Sequence, residues 1–424
     1  MDKANQSKFF YGWVVVAACF LLCFSWGFFY SYGAFFKELT AEFGWSRAAT
    51  STVVSVNTIF YVIGSIIIGW LSDRYKLRWL VLGAAILYGV GLALCSQIHA
   101  LWQLYILFGV MGGFALGIAY TPPTATVQRW FVKRRGLTLG IALAGIGIGT
   151  FIMTPVAARF ITTYGWRTSY IFMGIIVFLV LAIAAFFIVR HPEDKGLKPY
   201  GAITESVSES SASTSIERSW TTREALRTKS FWMAWLMWFF FSIPILVVMT
   251  HVIPHAEDIG ISKVAAAGAV GLIGGVSIIG RLMGGVLADR IGFNRVVGFG
   301  CLLCGVMVAF LIGVKSVWML YLFVLIYGLS YGAKAATGGG LIGHLFGTKS
   351  LPTILGFVIT SWAVAGIIAP PVAGYIFDKT GSYNIAFIIG AASFAISGAL
   401  ALTVKPPQKI FSIEGEQNRK AEGI

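Results

Sequence analysis

Long apolar segments recur along the chain and alternate with short polar stretches. We count twelve such segments, which begin near Tyr11, Ser51, Trp79, Trp102, Leu137, Ser169, Phe231, Val264, Val296, Val317, Pro352 and Tyr383. Each has about 20 residues, enough for an α-helix to cross a hydrocarbon core of roughly 30 Å. Because a bilayer offers no water to backbone N–H and C=O groups, these segments are predicted to be helical. The pattern predicts an all-α membrane protein with twelve transmembrane helices.

Composition and charge agree with this prediction. The chain is 57% hydrophobic and 12% charged, whereas soluble domains carry about twice that charged fraction. The net charge is +15, but the basic residues concentrate in alternate loops, at 74–78, 129–135, 290–295 and 405–409. This distribution is the positive-inside bias and argues against a nucleic-acid partner. We therefore expect a multi-pass protein of the plasma or inner membrane, embedded in the lipid bilayer, with both termini in the cytoplasm.

The chain contains a tandem repeat with an interval of 216 residues. Gly69-Trp-Leu-Ser-Asp-Arg74 recurs as Gly285-Val-Leu-Ala-Asp-Arg290, and Gly44-Trp-Ser has a counterpart in Gly260-Ile-Ser. The repeat predicts two six-helix halves. We place the N-terminal half at residues 1–190, a cytoplasmic linker at 191–228, the C-terminal half at 229–404 and a cytoplasmic tail at 405–424.

One cation lies deep in the eighth segment. Arg281 follows Gly280 in an apolar stretch from about 264 to 287, and its counterpart in the first half is Ser65. Asp289 marks the aqueous end of this helix, so Arg281 lies roughly 12 Å inside at about 1.5 Å per residue. A guanidinium there costs roughly 2.5–3.5 kcal/mol to insert and stays charged. We expect an anionic substrate to neutralise it; a structural ion pair is the alternative.

Other polar groups lie at a comparable depth. Lys334 and Tyr331 share a face of the tenth segment, Tyr120 lies in the fourth, and Ser277 lies one turn from Arg281. Converging on one cavity, they would form a carboxylate site, because arginine holds both oxygens and phenols complete the remaining acceptor positions. Lys334 is open to three interpretations: a lysine that reaches water, a second substrate cation, or a group that loses its proton during transport.

Aromatic residues could form the apolar walls of such a cavity. The candidates are Trp26, Phe28, Phe29, Phe357 and Trp362.

Two halves of six segments, each with Gly-x-x-x-Asp-Arg, resemble the major facilitator superfamily over nearly the whole chain. The resemblance implies a carrier whose halves rock about a central site. It also implies cytoplasmic gate contacts at Asp73, Arg74, Asp289 and Arg290, for which ordinary topological charge is the alternative. Lys76 departs from the family motif, in which glycine is usual at this position.

The first segment narrows the resemblance. Tyr11-Gly-Trp at its start, Gly27-Phe-Phe-Tyr-Ser-Tyr-Gly within it and Phe43-Gly-Trp-Ser after it resemble the monocarboxylate transporters and the related oxalate/formate exchangers. That resemblance implies proton-linked movement of lactate- or pyruvate-sized acids, with the carboxylate on Arg281. The animal branch has a lysine where Tyr30 falls, which makes Tyr30 a candidate substrate contact.

The resemblance is incomplete at the positions that bind the proton in one branch and the second substrate charge in the other. The animal branch has an aspartate at the position of Ser277, so its proton-handling pair is missing here. The oxalate exchangers have a lysine in the eleventh segment, and residues 351–377 contain none. Lys334 could substitute in either mechanism.

Other proton candidates lie at the outer end of the seventh segment: His251, His255, Glu257 and Asp258. A polar rim at the membrane surface is the simpler interpretation for Glu257 and Asp258, whereas His251 lies one turn deeper and its imidazole titrates near neutrality. The sequence thus predicts a secondary active transporter of small organic monocarboxylates by proton symport. An oxalate/formate-type anion exchanger is the alternative.

Enzyme and cofactor chemistry have no support in the sequence. It has no HExxH motif, no intramembrane Ser-His-Asp set and no Walker motif, and Cys301-Leu-Leu-Cys304 lacks a second pair. Gly145-Ile-Gly-Ile-Gly149 lies within an apolar segment with no strand before it, so it indicates close helix packing. We expect no enzymatic activity, metal, cofactor or nucleotide partner.

Overall fold

The computed structural model describes residues 10–72, 74–201, 220–347 and 350–407. Within these ranges, eleven helices are long and apolar enough to cross a membrane. The longest, Arg135–Phe187, has 53 residues and would extend about 80 Å at 1.5 Å per residue, more than twice the hydrocarbon thickness. Gly165 interrupts it with a non-helical conformation (φ 78°, ψ 161°) and divides it into two spans. The expected all-α fold with twelve transmembrane helices is confirmed.

The N-terminal six helices follow one another with short connections. They are α1 Gly12–Phe43, α2 Arg47–Ser72, α3 Leu77–Gln97, α4 Leu101–Trp130, α5 (135–164) and α6 (166–187). Two helices are locally irregular. In α1, the hydroxyl groups of Ser25 and Ser31 donate to carbonyls three residues earlier, at 2.7 Å each, where the helix is interrupted. In α4, a π-helical stretch covers Tyr105–Gly112.

The C-terminal six helices repeat this arrangement. They are α7 Lys229–Asp258, α8 Lys263–Ile291, α9 Phe293–Gly313, α10 Val317–Phe346, α11 Leu351–Thr380 and α12 Asn384–Thr403. The 216-residue interval recurs in these bounds: α8, α9 and α10 begin 216 residues after α2, α3 and α4. Positive φ angles recur at the same interval, at Gly44 and Gly260 and at Gly165 and Gly381. Two six-helix halves therefore exist in the structure as well as in the sequence.

The segment between the halves is partly described. A short 3₁₀ turn covers Pro192–Lys195, and a five-residue helix covers Thr222–Leu226. Thr221 caps that helix through a reciprocal capping box with Glu224. The Ser-rich part of the predicted linker, residues 205–215, lies outside the described residues, and the bounds of the four predicted segments stay predictions.

Glycines allow helix backbones to touch within and between the halves. A Cβ on Gly149 would lie 2.2 Å from the Phe24 carbonyl oxygen of α1, and one on Gly147 would lie 2.6 Å from the Gly274 carbonyl oxygen of α8. Membrane helices pack closely where small residues permit it. The 145–149 glycine run is thus a packing surface, as predicted, and its middle member brings α5 of one half against α8 of the other.

Candidate functional site

A cavity of about 650 Å³ lies between the two halves. Helices α1, α2, α4 and α5 line it on one side, and α7, α8, α10 and α11 line it on the other. It extends to Gly136 and Leu137 in the first turn of α5, where Leu137 is exposed. This end of the molecule carries the loops with Arg74, Lys133 and Arg290, and we call it the basic end.

Five of the predicted substrate contacts line this cavity. They are Tyr30, Tyr120, Arg281, Tyr331 and Lys334. Trp26 and Trp362 also line it, as expected for the apolar walls, whereas Phe28, Phe29 and Phe357 do not. Among the described residues of the lining, no side chain carries a carboxylate, so the cavity contains two cations and no protein anion.

Arg281 connects the two halves at the cavity wall. Its Nη1 donates to the carbonyl oxygen of Leu143 in α5 at 2.9 Å. The Tyr331 hydroxyl interacts with the guanidinium and with the hydroxyl of Tyr30. Within the described ranges, no carboxylate forms an ion pair with Arg281. A guanidinium has five N–H donors, so this arrangement leaves donors that a bound anion can use.

Lys334 is fully buried beside the cavity. Its Nζ lies 3.0 Å from the centroid of the Phe241 ring and 3.7 Å from that of Trp238. No hydrogen-bond acceptor reaches it in the described part of the chain. Aromatic faces attract a cation, and this attraction is strongest in desolvated sites. Because the ammonium is enclosed by rings, the interpretation that it reaches water does not fit this conformation, and the two functional interpretations remain.

Tyr120 enters the cavity because α4 is broken at this residue. Its backbone is non-helical (φ −132°, ψ −60°), and helix Thr121–Trp130 begins immediately after it with prolines in its first turn. Proline cannot donate to the preceding turn but is well suited to a helix start. The Pro122-Pro123 pair thus sets the position at which α4 is interrupted.

Two predicted residues lie away from the cavity lining. Ser277 is fully buried and donates to the Gly274 carbonyl at 2.7 Å. Its own backbone packs against α10, since a Cβ on Gly332 would lie 2.1 Å from the Ser277 carbonyl oxygen. The helices α8 and α10 are in contact at this level, which leaves no room for a ligand beside Ser277.

His251 belongs to a different part of the molecule. Its Nε2 lies 3.0 Å from the Pro370 carbonyl oxygen, and its Nδ1 lies 3.1 Å from the Tyr383 hydroxyl. A carbonyl can only accept, so Nε2 carries a hydrogen, and in the neutral imidazole Nδ1 accepts from the Tyr383 hydroxyl. Both ring nitrogens are therefore occupied, and the imidazole joins α7 to α11 at the end opposite the basic end.

That opposite end is closed by ion pairs and hydrogen bonds between the halves, which we call the distal network: Lys37, Arg47, Asp258, Asp378 and Tyr383. Asp258 pairs with Arg47 at 2.7 Å and with Lys37 at 2.9 Å. Asp378 accepts from the backbone N–H groups of Arg47 and Ala48, at 2.9 Å each, and so caps the N-terminus of α2. The Arg47 guanidinium also donates to the Tyr383 hydroxyl at 2.8 Å.

A third ion pair between the halves, Lys263 with Glu38, lies next to the distal network. The cavity is thus accessible from the basic end and separated from the distal end.

The predicted gate residues lie at the basic end. Arg74, Asp289 and Arg290 are exposed, and the Arg74 guanidinium stacks on Trp70 at 3.9 Å. Asp73 lies outside the described residues. Their gating role stays a prediction, which concerns the conformation in which the basic end is closed.

Comparison with known proteins identifies the architecture. Residues 17–313 and 278–422 match the family model described as Major Facilitator Superfamily. The chain belongs to this superfamily. It is 26% identical to rat monocarboxylate transporter 13 over 93% of this chain and 89% of the relative. It is 27% identical to human monocarboxylate transporter 12 over 92% of this chain and 80% of the relative.

A solved structure supports the same fold. The bacterial homologue of the human lysosomal transporter Spinster, in an inward-facing and unoccupied conformation, has a TM-score of 0.66 and 15% identity. The similarity covers 95% of this chain and 96% of that protein. The chain is accordingly a multi-pass membrane transporter of the major facilitator superfamily, related to the monocarboxylate transporters, and it is not an enzyme.

Sequence reasoning missed several residues of the site and of its closure. Tyr61, Trp238 and Phe241 line the cavity, but aromatic residues are 15% of this chain and their identity alone distinguishes none of them. Tyr61 did carry a usable signal, because it lies one turn from Ser65, the counterpart of Arg281. The distal network had none, since its partners are more than 200 residues apart in the sequence.

Proposed function

We propose that the protein is a secondary active transporter of small organic monocarboxylates, driven by proton symport. The observation that carries the proposal is Arg281, a guanidinium in the cavity between the halves with no carboxylate partner among the described residues. The names of the related monocarboxylate transporters point to the same class of substrate. Lactate and pyruvate are the acids that the sequence resemblance implies.

Binding would join the carboxylate to donors from both halves. Its oxygens can accept from the guanidinium of Arg281 and from the hydroxyl groups of Tyr331, Tyr30 and Tyr120, all of which line the cavity. Charge-assisted hydrogen bonds of this kind are roughly twice as strong as neutral ones. Neutralising the cation also lowers the free-energy cost of enclosing it in a closed cavity.

Alternating access follows from the asymmetry between the two ends. The positive-inside rule assigns the basic end to the cytoplasm, which makes this conformation cytoplasm-facing and places both termini there. Rocking of the halves about Arg281 would open the distal network and bring the two Asp-Arg loops together. Asp73, Arg74, Asp289 and Arg290 would then form the cytoplasmic gate.

Lys334 is the proposed site of proton coupling. Its Nζ lies against the rings of Trp238 and Phe241 and has no hydrogen-bond acceptor among the described residues. A carboxylate in the same cavity attracts the protonated form, so proton binding and anion binding strengthen each other by linkage. The other titratable or charged groups near this lysine are Cys301 and Cys304 of α9, Tyr331 one turn earlier on α10, and Arg281 of α8 in the same cavity lining.

The second candidate function is exchange of oxalate-type dianions. The observation that favours it is the pair Arg281 and Lys334, two cations in a lining whose described residues include no acid. If both cations are permanently charged, a dianion neutralises the cavity and a monoanion does not.

Purified protein in liposomes tests these proposals against each other. Labelled lactate, pyruvate, acetate, formate and oxalate are offered with and without an inward proton gradient. Proton symport predicts accumulation of a monocarboxylate that collapses when the gradient is dissipated. Dianion exchange predicts oxalate uptake only into liposomes preloaded with an anion, with no effect of the gradient. Failure of every acid to enter would contradict both.

A further inference from the structure

The polar groups of the cavity lining are almost all donors. Arg281 and protonated Lys334 donate only, and the indole N–H groups of Trp26 and Trp238 are buried without an acceptor in the described part of the chain. Tyrosine hydroxyl groups are the only side-chain acceptors among the described lining residues, which include no Asp, Glu, Asn, Gln, Ser, Thr or His. Such a lining complements a ligand that supplies oxygen acceptors and carries no amine.

The same lining is rich in aromatic rings at the level of the two cations. Tyr120 lies ten residues before the end of α4, and Trp362 lies eleven residues after the start of α11. At about 1.5 Å per residue, both lie roughly 15 Å from the basic end, as does Arg281, ten residues before Ile291. Leu137 and Ile141 line the mouth instead. The rings of Tyr120 and Trp362 therefore lie at the level of the anion site and not at its entrance. We call this ring of aromatic lining residues the aromatic wall.

The cavity is large for a three-carbon acid. Its volume of about 650 Å³ lies in the range of roughly 300–1,000 Å³ typical of pockets that bury drug-sized ligands. Lactate or pyruvate on Arg281 would leave most rings uncovered. A ring attached to the same carboxylate would pack against Tyr61, Trp362 or Trp26 and would bury apolar surface at no cost to the polar contacts.

An amino acid of the same size fits less well. Its ammonium group would meet the permanent charge of Arg281 and the protonated form of Lys334, with no carboxylate among the described lining residues. Like charges in a low-dielectric cavity repel strongly, and tyrosine hydroxyl groups alone cannot offset that repulsion.

We propose that the cavity selects monocarboxylates with an aromatic or similarly bulky apolar body over three-carbon acids and over aromatic amino acids. This inference rests on the proposed function, in which Arg281 holds the carboxylate, and adds what the remainder of the cavity recognises.

Matched pairs of substrates test the inference in proteoliposomes. Pyruvate is compared with phenylpyruvate and lactate with phenyllactate, so that each pair differs by one phenyl group, and phenylalanine replaces the hydroxyl of phenyllactate with an amine. We expect half-saturation concentrations about tenfold lower for the phenyl-bearing acids, and neither uptake of phenylalanine nor competition by it. Equal or weaker binding of the phenyl-bearing acids, or competition by phenylalanine, would overturn the inference.

A variant assigns the preference to the aromatic wall. Trp362→Leu should lower the ratio of phenylpyruvate to pyruvate affinity several-fold, whereas Trp232→Leu, at a side chain 53% exposed and outside the lining, should keep the wild-type ratio. An unchanged ratio in Trp362→Leu contradicts the inference. Transport of all acids without preference overturns this inference alone, and transport of none overturns the proposed function with it.

Discussion

Arg281 and Lys334 are the two cations of the cavity, and their surroundings differ. Arg281 donates to a backbone carbonyl of the opposite half and interacts with a tyrosine hydroxyl. The Nζ of Lys334 lies against two aromatic rings and has no hydrogen-bond acceptor in the part of the chain that the structure describes. Arginine stays charged in any protein environment, whereas lysine changes its protonation state readily when buried. The two cations are thus suited to different tasks: Arg281 to binding an anion, and Lys334 to binding and releasing the proton.

Replacing Lys334 separates the two cargo hypotheses. Lys334→Met keeps the length of the side chain and removes its charge. If the lysine carries the proton, this variant loses the dependence of uptake on the proton gradient and keeps anion exchange. Selective loss of oxalate uptake would instead assign Lys334 to a dianion. His251→Gln is the comparison, and persistence of gradient-driven uptake in it would exclude the histidine as the proton carrier.

A hydroxyl deletion tests the contact between Tyr331 and the substrate. Tyr331→Phe should raise the half-saturation concentration about tenfold, because a hydrogen bond to a charged group contributes roughly 1.5–3 kcal/mol. Tyr327→Phe is the matched control. Its hydroxyl lies one turn away on α10, is buried without a partner in the described residues and lies outside the cavity lining. Similar effects of the two substitutions on substrate affinity would contradict a specific role for Tyr331.

Counting residues from the helix ends identified Arg281 and Lys334 as cavity residues, because a charge within an apolar helix is easily recognised in the sequence. The same reasoning did not apply to Ser277. This residue lies one turn from Arg281 on α8, as predicted, but α10 packs directly against it and separates it from the cavity. A hydroxyl can satisfy itself on its own helix, so its presence at a given depth says little about a ligand. The aromatic lining was predicted only in part: Trp26 and Trp362 line the cavity, but the other three candidates do not. Rings that face lipid and rings that face the cavity cannot be distinguished by residue type.

At the scale of the helices, the fold was predictable because its signals are local and repeated. Apolar length defined the spans, and the 216-residue interval recurs in the helix bounds. The joined helix Arg135–Phe187 is the exception, since only the backbone of Gly165 separates its two spans. Close approach of α8 and α10 was not predicted, although Gly280, Gly284 and Gly332 made it possible.

Glycine substitutions test this helix contact. Gly332→Ala places a Cβ 2.1 Å from the Ser277 carbonyl oxygen, and overpacking of this kind costs roughly 1–3 kcal/mol. We expect a lower midpoint of thermal unfolding in detergent. Gly339→Ala on the same helix meets nothing within 4 Å and should be neutral or slightly stabilising. A neutral Gly332→Ala would contradict the packing described for α8 and α10.

At the scale of the whole molecule, the distal network holds the two halves together on one side of the cavity. It combines ion pairs, a helix cap and a ring contact, with the Arg47 guanidinium 3.6 Å from the Phe377 centroid. Exposed ion pairs contribute little individually, but Arg47 joins several contacts at a partly buried position. The network therefore biases the carrier toward the conformation open at the basic end.

Removing this bias should shift the population of conformations. Arg47→Ala is expected to move the distances between spin labels on Ala41 and Asn384, one in each half, toward longer values. The labels can be placed selectively because the five native cysteines are buried. Lys379→Ala, an exposed lysine of the same region, is the control. Distance distributions of Arg47→Ala that coincide with those of the control would contradict a latching role.

The most direct test of the account is gradient-driven uptake of pyruvate and phenylpyruvate by Arg281→Ala in proteoliposomes, with insertion and folding measured in the same preparation. Arg159→Ala, at an exposed arginine of α5 outside the cavity lining, is the control. We expect Arg281→Ala to lose uptake of both acids while it stays folded and inserted, and Arg159→Ala to match the wild type. Near-normal uptake by properly inserted Arg281→Ala would contradict the claim that this guanidinium binds the carboxylate.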